Sequence, residues 1–296
     1  MTYIIMDLEW NGAFNEKTGS YFNEIIEIGA VKVNTDLHKL DEFHVMLKPV
    51  VSTKLSQVVL GLTSITDEDL QDGITFPSAV EQLIDWTNNE HAVLLTWSNT
   101  DLMVLMENLR YYYADDTIPF IHGYVDVQRY AQKQIGVDLS QQLGLGKACE
   151  MLGVGQTDTD WHRALDDSRQ TMMVLREVYE KDTFLKEIRV TNEEFYQRVH
   201  FKPYFISDSN HPELKKGAFH FQCELCGRTL RNQGAWEYHH RSFCAEMLCR
   251  QCKIRFLARV QCKRTFDGYD IKRRLTVKPT AAEKNTEHAQ SKGEPV

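Results

Sequence analysis

YIIMDLE, residues 3–9, opens the chain with four apolar residues and then sets an acid on each side of Leu8. A short apolar run ending in acids reads as a buried strand whose tip is polar. Because side chains alternate along a strand, Asp7 and Glu9 fall on one face, a few ångströms apart. Two anions that close repel each other unless they share a cation. Strand ends often carry solvated acids, so an Asp-x-Glu needs company before it indicates chemistry.

Two further strands follow, IIEIGAVKV at 25–33 and DEFHVMLKP at 41–49, the second ending at a proline. Short polar connectors predict an antiparallel meander. Beyond it come a helical pattern at 76–88, a buried strand AVLLTW at 92–97, and a helix over 100–113. A short apolar lead-in at 124–128 precedes helices around 126–135, 141–152 and 160–181. A meander followed by strand–helix alternation predicts an α/β fold, a mixed sheet with helices on its faces.

More acids lie where such a sheet places ligands. Asp101 follows AVLLTW through SNT, at a strand's carboxyl end, where it also suits the first turn of the next helix. In WHRALDDSRQT, His162 and Asp167 are five apart, about 140° around a continuous helix. They meet at one site if His162 sits on the loop before the helix. Asp166 is rotated about 100° from Asp167 and is expected in solvent. Trp10 and Trp97 flank the acids, either as stacking surfaces for a base or as core. GLGK at 144–147 lacks the frame of a phosphate loop, no G-x-S-x-G occurs, and Cys149 sits in a helical pattern as a small core residue.

The run of DLE at 7–9, IIEIGAV at 25–31, LKP at 47–49, GLTSITDEDL at 61–70, TWSNTDL at 96–102 and HRALDDSR at 162–169 resembles the DEDDh 3′→5′ exonucleases. These are DnaQ-like members of the ribonuclease H-like superfamily, and the wording is most similar to the Eri-type and KapD-like subgroup. The resemblance covers about residues 2–181 and implies two Mg²⁺ or Mn²⁺ ions held by Asp7, Glu9, Asp101 and Asp167. It implies that Asp7 bridges both ions, that Glu9 and Asp167 serve the attacking side, and that Asp101 serves the leaving side. It gives His162 the role of proton acceptor and makes the substrate a single-stranded nucleic acid with a free 3′ end, RNA favoured over DNA. A DNA proofreading or repair exonuclease is the first rival. The second is a non-catalytic nucleic-acid-binding scaffold on the same fold, against which the intact carboxylate set argues.

The remainder of the chain differs in character. The whole chain of 296 residues carries a formal charge of −8, yet residues 1–201 hold 16 basic and 32 acidic side chains while 202–278 hold 16 and 7. Six of the seven cysteines fall between 223 and 262. Clustered C-x-x-C pairs indicate metal rather than disulfides, and with no secretory signal predict a reducing, cytoplasmic setting. Cys223, Cys226, His239 and Cys244 match a zinc-finger frame, with Phe221, Leu230 and Trp236 at its core positions. The alternative is a four-cysteine ribbon from Cys223, Cys226, Cys249 and Cys252. A further alternative puts Cys249, Cys252 and Cys262 around a second zinc. The finger is the preferred reading, because its apolar frame is present.

Lys253, Arg255, Lys263 and Arg264 alternate with aromatic and aliphatic residues and are candidate nucleic-acid contacts. The organisation expected is a nuclease domain at 1–182, a linker or extension at 183–220 with a boundary near 200, a basic zinc module at 221–278 and a disordered tail at 279–296. Composition is close to the globular average, with 42% hydrophobic and 26% charged residues. No stretch approaches the roughly 18–20 apolar residues of a membrane span, so no membrane partner is expected.

Overall fold

The first strand, β1 (Thr2–Asn15), is apolar on both faces at its start. Ile4, Met6 and Leu8 point to one side, Tyr3 and Ile5 to the other, and all are buried. Such a strand requires cover on both sides. It is central in a six-stranded sheet with order β3-β2-β1-β4-β5-β6. The computed structural model describes residues 1–52, 54–88, 92–155 and 163–278.

β2 (Ser20–Val33) and β3 (Lys39–Met46) continue antiparallel from β1, forming the expected meander. Helices α1 (Gln57–Thr63) and α2 (Phe76–Thr87) lead to β4 (Ala92–Thr96), which pairs parallel to β1. α3 (Asn99–Tyr113), β5 (Gly123–Asp126), α4 (Val127–Ile135), α5 (Leu145–Leu152) and α6 (Ala164–Val178) follow, with β5 parallel to β4. The two faces of the sheet carry separate cores. One combines Ile4, Met6 and Leu8 with Leu83 of α2 and Leu105 of α3, and the other combines Tyr3 and Ile5 with Tyr130 of α4 and Leu175 of α6.

The stretch 183–220, expected as a linker or extension with a boundary near 200, is structured and divided between two units, Met1–Val199 and His200 onward. α7 (Lys181–Leu185), β6 (Arg189–Val190) and α8 (Glu193–His200) complete the first unit. Phe184 is fully buried among Tyr3, Tyr130 and Tyr179, while Phe195 and Tyr196 join the first core. These aromatics are spaced too widely to show a helical period, which is why the segment reads as irregular in sequence.

The second unit consists of β7 (Tyr204–Phe205), α9 (Pro212–Lys215), β8 (Arg231–Asn232), β9 (Glu237–His239), β10 (Ser242–Leu248), β11 (Arg255–Thr265) and β12 (Gly268–Val277). Its sheet runs β12-β11-β10-β8, with β7 paired to β11 and β9 to β10. Phe221, Leu230, Phe243, Phe256 and Val260 form its core. Among the described residues no helix is long and apolar enough to cross a membrane. The tail expected to be disordered, 279–296, lies outside the described residues.

Candidate active site and metal centre

On β1 the face that begins with Tyr3 and Ile5 continues as Asp7 and Glu9, so a buried surface turns acidic within one strand. Glu9 lies directly opposite Glu27 of β2, and a bulge follows it at Trp10. Bulges of this kind re-aim side chains beside functional sites. α6 crosses this face and brings Asp167 to the same place. Ligand oxygens of Asp7, Glu9 and Asp167 all lie within 4.8 Å of one another.

Asp101 is set by a strained turn. Ser98, the N-cap of α3, has φ 140°, a conformation rarely adopted by residues other than glycine. Its carbonyl accepts hydrogen bonds from the Thr96 and Tyr124 hydroxyls, which hold the turn. Asp101, in the first turn of α3, is 6% exposed, and its Oδ1 accepts the Leu8 N–H at 3.2 Å. The fourth carboxylate is therefore tied to the backbone between Asp7 and Glu9.

The electrostatics follow from burial and crowding. Asp7 is pushed well above the usual carboxylate range by burial, then by Asp101, Asp167, Glu9 and Glu27. Glu9 is pushed up to about 8 by burial and by Asp167 and Glu27. Asp101 is pushed up to about 7, chiefly by burial, with Asp167 adding to it. Carboxylates that resist ionisation because of each other are stabilised by a shared cation. Oxygen-only ligation by this set suits Mg²⁺ or Mn²⁺ better than zinc. Asp166 is half exposed and bonded to Arg169, in solvent as expected.

Glu27 is a site residue that the sequence reading missed. It is completely buried, and its carboxylate accepts from Arg163 Nη2 at 2.8 Å, from Arg163 Nε at 3.1 Å and from the Ala164 N–H at 3.1 Å. His44 Nε2 lies 2.7 Å from Oε1, the oxygen that also accepts from Arg163. Burial alone would raise its pKa, but the bonds from His44, Arg163 and Ala164 outweigh it and hold Glu27 below the usual range. Arg163 has no side-chain cap of its own, so Glu27 caps α6 from the neighbouring strand. Two residues on, Gly29 lets that helix touch the sheet, since an added Cβ would stand 2.0 Å from Leu165 N. The Ser168 hydroxyl donates to the Gly29 carbonyl at 2.9 Å. The available signal was an acid within the apolar run I-I-E-I-G, since a charge at a buried strand position requires partners.

His162 lies outside the described residues; its neighbour Arg163 is the residue clamped by Glu27. Trp97 is a correction. It is buried in the second core, and its indole N–H donates to the Leu143 carbonyl, so it is a wall and not a stacking surface. Trp10 is half-buried at the edge of the first core.

In the second unit, Cys223, Cys226, Cys249 and Cys252 converge with ligand sulfurs within 4.8 Å of one another. This overturns the finger reading. His239 is exposed on β9 beside Glu237, at 3.2 Å, and Cys244 lies on β10 outside the cluster. The physical reason is periodicity: Ser242–Leu248 buries alternate residues, so the segment is a strand where a finger needs a helix. Cys262 is buried in the core of β11, so a second metal site from Cys249, Cys252 and Cys262 is also corrected. Phe221, Leu230 and Trp236 do pack together, but as the core of a ribbon.

The two knuckles match. Cys223 O accepts the Gly227 N–H and Cys249 O accepts the Lys253 N–H, at 2.8 and 2.9 Å, with φ 69° and 60° at the two donors. Sulfur–sulfur distances of 3.9 Å (Cys223–Cys252) and 3.6 Å (Cys226–Cys249) fit the edge of about 3.8 Å of a tetrahedron with ~2.3 Å bonds. The geometry is compatible with zinc. The four basic candidates do not share one surface. Lys253 belongs to a knuckle turn, while Arg255 and Lys263 occupy one side of β11. Arg264 projects to the other side, over the rings of Phe201 and Tyr269.

Residues 4–175 match the exonuclease family model RNase_T. The chain belongs to this exonuclease family. It is a phosphodiester hydrolase, a 3′→5′ exonuclease of the DEDDh type, and membership implies divalent metal cofactors. The exonuclease is 27% identical over 188 residues to the probable 3′-5′ exonuclease KapD of Bacillus subtilis, covering 62% of this chain and 87% of KapD. It is 26% identical over 191 residues to DNA polymerase III PolC-type of Staphylococcus haemolyticus, 64% of this chain but 12% of that protein. Against 3′-5′ exoribonuclease 1 of Homo sapiens it is 34% identical over 67 residues, 22% of this chain and 19% of that one. The nuclease domain of 3′hExo, a DEDDh family member solved with rAMP bound, superposes with a TM-score of 0.52 at 25% identity, over 64% of this chain and 96% of that domain.

Proposed function

We propose that this exonuclease removes nucleoside monophosphates from the 3′ end of a single-stranded nucleic acid, RNA in preference to DNA. The observation that carries the reading is the meeting of Asp7, Glu9 and Asp167 within 4.8 Å, with buried Asp101 tied to the backbone between the first two. Two Mg²⁺ or Mn²⁺ ions, held by these four carboxylates, would neutralise charge at the scissile phosphate and at the attacking and leaving oxygens. His162 takes the proton of the attacking water, a role for which an imidazole with an ordinary pKa near 6.5 is suited. Glu27 keeps Arg163, and so the residue that follows His162, fixed to β2. Asp7 and Glu9 stand on a central strand and Asp101 on a braced turn, so the acids meet the phosphate already in place.

RNA is favoured by the likeness to 3′hExo with rAMP bound and to 3′-5′ exoribonuclease 1. The likeness to a PolC-type polymerase supports the DNA alternative. In the second unit, Cys223, Cys226, Cys249 and Cys252 would bind one structural zinc, which stabilises a small basic sheet that binds the strand.

The test is degradation of a 5′-labelled oligonucleotide, in matched ribo and deoxyribo forms, with Mg²⁺ or Mn²⁺. A ladder shortening from the 3′ end is expected for the wild type. It should be lost with EDTA, in Asp7→Ala and in His162→Ala. No metal-dependent shortening of either oligonucleotide refutes the proposal.

A further inference from the structure

The register of the second sheet separates its cations into two populations. Phe256, Ala258, Val260 and Cys262 of β11 face the core, so Arg259 and Lys263 stand on the solvent side. Pairing places Arg274 of β12 directly opposite Arg259 and Lys272 opposite Gln261, while Lys263 has Phe205 of β7 on one side and Asp270 of β12 on the other. The Phe205 ring carries Lys263 Nζ at 5.8 Å and the Arg241 guanidinium at 5.3 Å from its centroid. One face thus holds two opposed arginines, further cations, an aromatic ring flanked by charge, and two acids, Glu246 and Asp270, that lie beside other cations.

Two guanidiniums directly opposite each other on an exposed sheet destabilise it. The nearby acids do not relieve the pair, since Glu246 is bonded to Arg255 and Lys278 and Asp270 lies 3.7 Å from Lys272. Among the described residues no carboxylate bonds Arg259 or Arg274. An arrangement that costs stability and stays open to solvent fits a polyanion that supplies the missing charge. An aromatic ring between cations on the same face adds a platform for a base, which a bare acidic peptide would not need.

We propose that this face, centred on Arg259, Arg274 and Phe205, binds single-stranded nucleic acid, the arginines contacting phosphates and Phe205 stacking on a base. The proposal deepens the nuclease reading by locating where the strand is gripped outside the carboxylate cup, and it rests on that reading only for the identity of the strand.

The experiment measures binding of the full chain, carrying Asp7→Ala so that hydrolysis is blocked without a chelator and any structural zinc is kept, to a labelled 20-nucleotide single strand across a salt series. Arg259→Gln/Arg274→Gln should lower the salt slope by about 1.4, at roughly 0.7 per phosphate contact, and weaken binding at least tenfold. Phe205→Leu should weaken binding by about tenfold with the slope unchanged. A control that removes two exposed cations elsewhere in the same unit, Lys202→Gln/Lys215→Gln, should leave the slope at the wild-type value. Wild-type binding by both sets of variants overturns the proposal. An equal loss in the lysine control also overturns it, because the effect would then be bulk charge. Displacement of the strand by poly-glutamate as readily as by unlabelled oligonucleotide overturns it in favour of an acidic protein. Hydrolysis of a short oligonucleotide by the wild type with Mn²⁺ is read separately, so a failed nuclease reading shows there and not in the binding curves.

Discussion

Replacing Glu9 by Gln should stabilise the metal-free protein while disabling it. In the folded chain the Glu9 carboxyl is pushed from 4.5 up to about 8 by burial and by Asp167 and Glu27. At about 1.4 kcal/mol per pH unit, that is about 5 kcal/mol of lost stability once the group is ionised in both states. Glu9 keeps partial access to solvent, which reduces the figure to about 2–4 kcal/mol. The sign follows from proton binding: between pH 4.5 and 8 the folded state holds the proton more tightly, so stability falls as pH rises through that window. Thermal unfolding in EDTA should therefore show Glu9→Gln melting about 5–10 °C above wild type at pH 8.5. The gap should shrink to under about 1 kcal/mol at pH 5, where most of the penalty is absent. Added Mg²⁺ or Mn²⁺ should raise the wild type more than the variant, and 3′-end hydrolysis by the variant should fall about a hundredfold or more. A variant no more stable than wild type at pH 8.5 in EDTA, or one equally stabilised at pH 5, would refute the reasoning that these acids repel one another.

Other perturbations test separate parts of the structure. Gly29→Ala drives a methyl group to 2.0 Å from Leu165 N, so α6 must move; expect a loss above about 3 kcal/mol, seen in denaturant unfolding, together with lost hydrolysis. Glu27→Gln leaves the Arg163 guanidinium without its bidentate carboxylate, and should cost about 2–4 kcal/mol and lower turnover more than substrate affinity in steady-state assays. Cys249→Ser should release zinc to a chromogenic chelator, whereas His239→Ala, Cys244→Ala and Cys262→Ala should retain it, because the four thiols that converge are Cys223, Cys226, Cys249 and Cys252. Tyr124→Phe removes one of the two hydroxyls that hold the Ser98 carbonyl; with the φ 140° turn less braced, hydrolysis should fall by about tenfold with little change in melting.

The nuclease sheet was legible because its strands announce themselves by composition. The run at 3–9 placed β1 and the face on which Asp7 and Glu9 sit, and the runs at 25–33 and 41–49 with their short connectors placed the antiparallel start of the sheet. Asp101 was legible for the same reason, since a fully buried five-residue strand precedes it. Glu27 was not, because its role depends on Arg163 and Ala164, 136 and 137 residues away in sequence. The elements within residues 183–199 were not legible, because buried aromatics on short elements leave no period to detect. The cysteine cluster was read as a finger for a different reason. Spacing admitted more than one ligand set, the apolar frame that favoured the finger is common to finger and ribbon, and the strand period of 242–248, which separates them, went unread.

Glu9 and Glu27 are paired across one antiparallel ladder, yet their charges are handled in opposite ways. Glu27 receives Arg163, His44 and a backbone N–H, so it remains ionised and bound, and fastens α6 to the sheet. Among the described residues no hydrogen-bond donor reaches the Glu9 carboxylate, and it is pushed up to about 8. The difference cannot come from burial alone, which raises both groups. It comes from where the donors are spent. Were Arg163 turned toward Glu9, it would neutralise the cup and compete with any cation there, and α6 would lose its cap. Directing the guanidinium to Glu27 leaves Asp7 and Glu9 under-compensated, so the fold itself holds them beside Asp167 while these acids repel. That is the condition under which a divalent cation gains most by binding, and it explains why one strand pair carries both the anchor and the active face.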